Sequence, residues 1–231
     1  MAKKGKTARR RWLAAALLLA LLAGGAGWWA ARGWKPNRSD YAVQGAWLDA
    51  RDMPVDWRLL RAEGADFVYL TATIASDGRD PAFTDSLAAA RDRGMQAGAV
   101  VVYDPCEAED GQAANFVTTV PRDKTLLPPA VSLDLDPAKC GDVPTEAAVQ
   151  SELTTFLNQI ERHAGKPAIL MLSRRFEKRY HLATMIDRNL WVEGDFMVPG
   201  YAQRPWVLWT ATDRLHSAAA NGALRWVVVH P

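Results

Sequence analysis

Carboxylates alternate with apolar residues near the end of the run from Leu127 to Cys140, LPPAVSLDLDPAKC. On an extended strand successive side chains face opposite ways. Ser132, Asp134 and Asp136 therefore share one face, and Val131, Leu133 and Leu135 the other. Acids gathered at the C-terminal end of a parallel strand are placed for acid–base chemistry, because in a barrel the loops after the strands converge there on one pocket. The same aspartates also suit a loop start that caps the next element. The surrounding elements have to decide between the two.

Apolar, strand-like runs fall at Ala42 to Leu48, Asp66 to Ala72, Ala97 to Tyr103, Ala130 to Leu135, Ala168 to Leu172, Leu190 to Val192, Val207 to Trp209 and Leu224 to Val229. Helical patterns lie between several of them. Asp80 and Pro81 supply an N-cap and a first-turn proline, Phe83, Leu87 and Ala90 recur at helical spacing, and Gly94 closes the element. Thr145 opens a longer helix in which Val149, Leu153, Phe156, Leu157 and Ile160 form one apolar face, with Gly165 as its stop. Strands apolar throughout and alternating with helices predict an α/β fold with a parallel sheet covered by helices. No glycine-rich phosphate loop follows the first strand and no GxSxG elbow occurs. The repeats after Leu190 are short and poor in helix, so an irregular TIM-like (β/α) barrel fits best.

The N-terminus reads differently. Lys3, Lys4, Lys6, Arg9, Arg10 and Arg11 precede an uncharged run from Trp12 to Ala31, long enough at ~1.5 Å per residue to span a bilayer core. Gly24, Gly25 and Ala26 offer a cleavage site, which would give a secreted chain. Trp28, Trp29 and Arg32 favour the border of a retained transmembrane helix. The expected organisation is a basic cytoplasmic tail over 1–11, a signal-anchor helix over 12–31, a polar linker over 32–40 and a barrel domain over 41–231 in the periplasm or outside the cell.

Eight of the 28 Lys and Arg precede residue 36, where no acid occurs, leaving 20 against 26 Asp and Glu in the remainder. A folded part of formal charge −6 carries no footprint for nucleic acid. Outside the cytoplasm the lone pair Cys106 and Cys140 points to a disulfide rather than a metal or redox site. Such a bridge is worth ~2–4 kcal/mol. No metal cluster stands out, and no cofactor is expected.

From Tyr41 onward the chain resembles the family 25 glycoside hydrolases, the lysozyme-type muramidases. VQGAWLDARDMPVDW (Val43 to Trp57) is similar to the family's opening GxDxS…IDW segment. FVYLTAT…DPAF (Phe67 to Phe83) resembles its second strand and following helix start, and CEAEDGQAANFVTTVP from Cys106 a subgroup pattern. LPPAVSLDLDPAKC resembles the strand bearing the DxE acids, and KPAILMLSRRF, LWVE and RPWVLW later strands. The resemblance implies a barrel of five β/α units with an irregular remainder, acting on the β-1,4 bond after N-acetylmuramic acid in peptidoglycan. One carboxylic acid would protonate the departing oxygen, and a carboxylate or the substrate's acetamide would steady the positive sugar.

At the functional positions that the resemblance implies, this chain departs. The opening Asp falls on Trp47, the DxE pair on Ser132 and Asp134, and the last-strand Asp on Arg225, with the nearby Asn on Val227. Ile74 stands for the second-strand Glu, Thr71 for its Lys, Val100 and Val101 for the third-strand aromatic and His, and Thr210 for the Gln after the penultimate-strand tryptophan. Scaffold positions persist at Asp56, Trp57, Asp80, Pro81, Asn115, Phe116, Pro128, Pro129, Trp191, Trp206 and Trp209. Asp134 is the residual catalytic candidate. A cation from Arg225 beside it would favour its ionised form, so an Asp134–Arg225 ion pair is expected.

Trp47 and Trp209 are possible glycan contacts or core, and Trp226 faces the same choice. Asp49, Asp52 and Asp136 read as loop or capping residues, His163 as a solvated partner of its helix dipole. Arg174, Arg175, Lys178 and Arg179 read as a solvated helix face open to an anionic partner. The expected function is a catalytically inactive envelope domain that binds peptidoglycan or an envelope protein. The alternatives are a peptidoglycan muramidase using Asp134 as proton donor with Asp49 or Asp136 assisting, and a purely structural envelope scaffold.

Overall fold

The computed structural model describes residues 3–134, 136, 138 and 140–231, the side chains of 3–11 and 14 excepted. The chain divides into two compact units, Met1–Trp34 and Lys35–Pro231. The first holds helix α1 (Lys3–Arg32), whose stretch Ala15–Arg32 is long and apolar enough to cross a membrane.

The second unit is a closed barrel. Strands β1 (Gln44–Leu48), β2 (Phe67–Ile74), β4 (Gln96–Val102), β5 (Ala130–Leu133), β6 (Ile169–Leu172), β7 (Asn189–Glu193) and β8 (Leu208–His216) run parallel, each to the next. Strand β9 (Ala223–Val229) closes the ring antiparallel to both β8 and β1, and the two-residue β3 (Gly78–Arg79) adds to β2. Helices α2 (Trp57–Ala62), α3 (Phe83–Asp92), α4 (Glu109–Thr119), α5 (Glu146–Ala164) and α6 with α7 (Arg174–Tyr180, Leu182–Met185) cover the first five crossovers. Among the described residues no helix follows β7 or β8, which leaves the irregular side that the short late repeats predict. The β5 expectation reached Leu135, which lies outside the described residues.

Local chemistry sets these elements. The Asp56 and Thr145 side chains accept from the Leu59 and Ala148 N–H groups at the starts of α2 and α5, and Gly165 closes α5 in a left-handed turn. Asp80 does not cap α3. It accepts from the Ala82 N–H and, with its other oxygen, from the Ala50 N–H, both at 2.8 Å, tying the start of α3 to the turn after β1. A Cβ at Gly45 would lie 2.2 Å from the Phe67 carbonyl, so only glycine lets β1 approach β2 there. His163 is not solvated as expected. Its Nε2 meets the Val120 carbonyl at 2.8 Å and its Nδ1 accepts from Arg122 at 3.2 Å, docking α5 on the end of α4.

The barrel interior holds Phe67, Tyr69, Val100, Ala130, Ile169, Met171, Trp191, Leu208 and Val227. Residues Lys35 to Asp40 belong to this unit: Arg38 donates to the Gly64 and Ala42 carbonyls and pairs with Asp66 at the entry to β2. The chain thus enters the barrel at the N-terminal ends of the parallel strands. The predicted disulfide forms between Cys106 and Cys140, with Cα atoms 5.2 Å apart.

Candidate functional site

Each strand of the barrel places every second side chain inside. Stepping two residues from the apolar layer toward the C-terminal ends of the parallel strands gives the layer at the mouth. Tyr69 leads to Thr71, Ala130 to Ser132 and Trp191 to Glu193. Leu208 leads to Thr210 and, on the antiparallel β9, Val227 leads back to Arg225. Trp47 completes the layer from β1, directly opposite Arg225 in the β1–β9 register.

That register decides where Arg225 goes. Its guanidinium lies 3.9 Å from the centre of the Trp47 ring and donates to Asp49 and Asp52, both at 2.9 Å. The two aspartates form a capping box in the turn after β1, Ala50–Asp52, and Asp49 also takes a fork from Arg51. The capping role expected of Asp49 and Asp52 is thus present, but the expected Asp134–Arg225 ion pair is not. Asp134 lies past the end of β5 with most of its side chain in solvent, and pairs with Arg175 at 3.5 Å. Asp136 meets the same arginine at 3.8 Å and accepts from the Ala138 N–H. Of the basic cluster on α6, Arg175 is the one that reaches these acids. Arg174 and Arg179 lie over Tyr201 and Tyr180.

The tryptophans separate. Trp209 is 3% exposed and its indole N–H donates to the Gly194 carbonyl, so it has no face for a sugar, and of the two roles open to it the core one holds. Trp226 is wholly buried. Trp47 is half-buried: it packs on the barrel core, donates to Thr71 at 3.1 Å and borders the open mouth. Ser132 is buried beneath Asp134 and contributes a hydroxyl.

Two connected hollows remain. One, of about 590 Å³, is bounded by Trp47, Arg51, Thr71, Arg79, Asp80 and Asp134. The other, of about 390 Å³, is bounded by Trp47, Asp134, Glu193, Thr210, Asp213 and Arg225. Their carboxyls differ sharply. Burial resists the ionisation of Asp49, but the Arg51 hydrogen bonds and the Arg225 charge outweigh it and hold the group down at about 2. Asp52 is raised, chiefly by burial and by the neighbouring Asp49 charge, against the pull of the Asp49 N–H and Arg225. Glu193 is pushed up to about 7 by burial, then by the Asp134 and Asp213 charges, with Arg225 opposing. Asp49 therefore has no proton to give at any working pH, and its carboxylate is already held by Arg51 and Arg225. Glu193 was missed because LWVE reads as a scaffold strand. Its parity with the inward Trp191 is the sequence signal that finds it.

A profile described as "Glycosyl hydrolases family 25" matches residues 50–217. Similar solved structures include a family 25 glycosyl hydrolase from Bacillus anthracis, 22% identical with a TM-score of 0.76 over 87% of this chain and 93% of that one. A bacterial lysozyme from Streptomyces coelicolor is 16% identical with a TM-score of 0.72, over 82% and 92%. A family GH25 lysozyme from Aspergillus fumigatus is 15% identical with a TM-score of 0.68, over 82% and 94%. No curated protein sequence matches. At such identities the structural likeness carries the fold, and the profile, matched over more than half of the sequence, shows that the chain belongs to glycosyl hydrolase family 25.

Proposed function

We propose that this chain is an envelope protein whose barrel mouth binds the glycan strands of peptidoglycan without the carboxylate set that its family resemblance implies. The observation that carries the reading is Arg225 laid over Trp47 and locked to Asp49 and Asp52. A guanidinium and an indole stand at two of the positions where the resemblance implies acids, so neither of those two strands supplies a proton donor or a counter-charge for a glycosyl cation. The hollow above them stays open, and the half-buried Trp47 borders it with an aromatic surface of the kind that sugars stack on. The similar structures described as lysozymes support peptidoglycan as the material engaged. In this reading α1 is a retained anchor, the tail before it is cytoplasmic and the barrel is external.

Retention of the full chain on insoluble peptidoglycan tests the reading. Wild-type protein is expected to sediment with the wall, and Trp47→Ala to lose at least ~10-fold in retention, with its thermal unfolding followed to show that it still folds. Failure of the wild type to sediment overturns wall binding in favour of a structural role or an envelope-protein partner. An N-terminus found cut near Ala26 in the mature protein overturns the anchor.

A further inference from the structure

The mouth holds one carboxyl that its own structure leaves unanswered. Asp49 and Asp52 share Arg225, Asp134 has Arg175, and Asp195 and Asp213 are both held by Arg214. Among the described residues, the Glu193 carboxyl receives no hydrogen bond and no cation forms an ion pair with it, although it faces the hollow of about 390 Å³. Its backbone is fixed: the Glu193 N–H donates to the Tyr201 hydroxyl at 2.9 Å, and that hydroxyl in turn donates to the Leu172 carbonyl on β6. An unpartnered carboxyl on a rigid strand end, with open space in front of it, is costly for folding and suited to meeting a ligand.

We propose that Glu193 and Asp134 form a carboxyl pair, Glu193 as proton donor and Asp134 as base, that hydrolyses a glycosidic bond lying across the mouth. This rests on the glycan-binding reading and gives that mouth a proton donor at a position outside the set that the family resemblance implies. The strands that carry the pair, β5 and β7, flank β6, so their ends are about 10 Å apart. Side chains turned inward from that separation leave room for a sugar bond and a water between them.

The groups facing Glu193 are Asp134 beyond β5, Asp195 after β7, Asp213 on β8, Arg225 on β9 and the Tyr201 hydroxyl. Burial and the acids among them keep Glu193 protonated up to about pH 7, whereas Asp134 lies largely in solvent beside the Arg175 cation. The proton of Glu193 passes to the glycosidic oxygen as the bond from that oxygen to C1 breaks, the electron pair leaving with the alcohol. Water adds to C1 and gives a proton to Asp134, and exchange with solvent restores both groups.

The test uses the full chain in detergent with purified insoluble peptidoglycan, measuring new reducing ends and, separately, wall retention. The expected result is slow release that declines as pH rises through about 7, falls about 100-fold in Glu193→Gln and at least ~10-fold in Asp134→Asn. Glu193→Asp, which withdraws the carboxyl by one methylene, is expected to fall between the wild type and Glu193→Gln. Equal release by wild type and Glu193→Gln overturns the proposal. So does an absence of release while the wild type is retained on the wall, which leaves the binding reading intact. Loss of retention and release together overturns both.

Discussion

Asp49 and Glu193 are carboxylic acids on the rim of one barrel mouth, just after β1 and at the end of β7, and their surroundings drive them to opposite ends of the carboxylate range. Both are taken partly out of water, which by itself raises both. Two guanidiniums meet Asp49 and bring it to about 2, while Glu193 meets mainly other acids and rises to about 7. The difference lies in where the arginines go. The β1–β9 register aims Arg225 at the β1 turn, so one side of the mouth is an internally satisfied ionic cluster and the other holds an unspent proton. One side of the mouth thus neutralises its acids internally, while the other keeps a carboxyl that meets no cation within hydrogen-bond reach among the described residues.

Removing Arg225 breaks the comparison most severely. Its side chain is 15% exposed and its partners Asp49 and Asp52 are 9% and 11% exposed, so Arg225→Met strands Asp52 beside Asp49 in a poorly hydrated turn and leaves Asp49 with Arg51 alone. The expected loss is about 3–5 kcal/mol at pH 7, part of it recovered near pH 4 as Asp52, left without a cation, takes up a proton. Denaturant midpoints at the two pH values measure it. A loss under ~1 kcal/mol, the scale of an exposed pair, would mean that the cluster is solvent-screened and that Arg225 is free to turn elsewhere.

Glu193→Gln acts in the opposite sense. A carboxyl whose folded pKa lies above its unfolded value costs stability as pH rises from about 4.5 to about 7, because the folded state holds the proton longer. The amide carries no such cost. The variant is therefore expected to be more stable than wild type by about 3 kcal/mol at pH 8 and equal to it at pH 4. Identical pH profiles would show Glu193 to be an ordinary solvated acid and would remove its proton from the chemistry of the mouth.

Much of this arrangement was legible in residue spacing, and the exceptions share a cause. Continuous apolar runs placed the strands, helical spacing with Thr145 and Gly165 bounded α5, and the shortness of the repeats after Leu190 marked the helix-free side. Substitution by resemblance picked out Trp47, Ser132, Asp134 and Arg225, which the structure gathers at the mouth. Partner choice was not legible. Arg225 has carboxylates on several neighbouring strands within its length, and only the cross-strand register, a long-range property, selects Asp49 and Asp52 over Asp134. Glu193 was hidden for a related reason: its parity with Trp191 is local, but its lack of a partner is a property of the closed ring.

The smallest expected effect isolates the satisfied side. Asp49 is held below its unfolded value, so its contribution is present above about pH 4 and is lost as pH falls through about 2. The shift corresponds to about 2 kcal/mol, and Asp49→Asn should forfeit up to that amount at pH 7 while flattening the fall in stability between pH 4 and pH 2. The amide oxygen can still accept from the Arg51 N–H, so the turn keeps its cap, and what is lost is the charge together with the second oxygen's bonds from Arg51 and Arg225. Asp52 supplies an internal check. Part of its upward displacement comes from the Asp49 charge, so neutralising Asp49 should let Asp52 titrate lower and leave Arg225 to it alone. If Asp52 does not move when Asp49 is neutralised, the two acids are uncoupled, and the ionic cluster that separates the two sides of the mouth is looser than its 2.9 Å contacts imply.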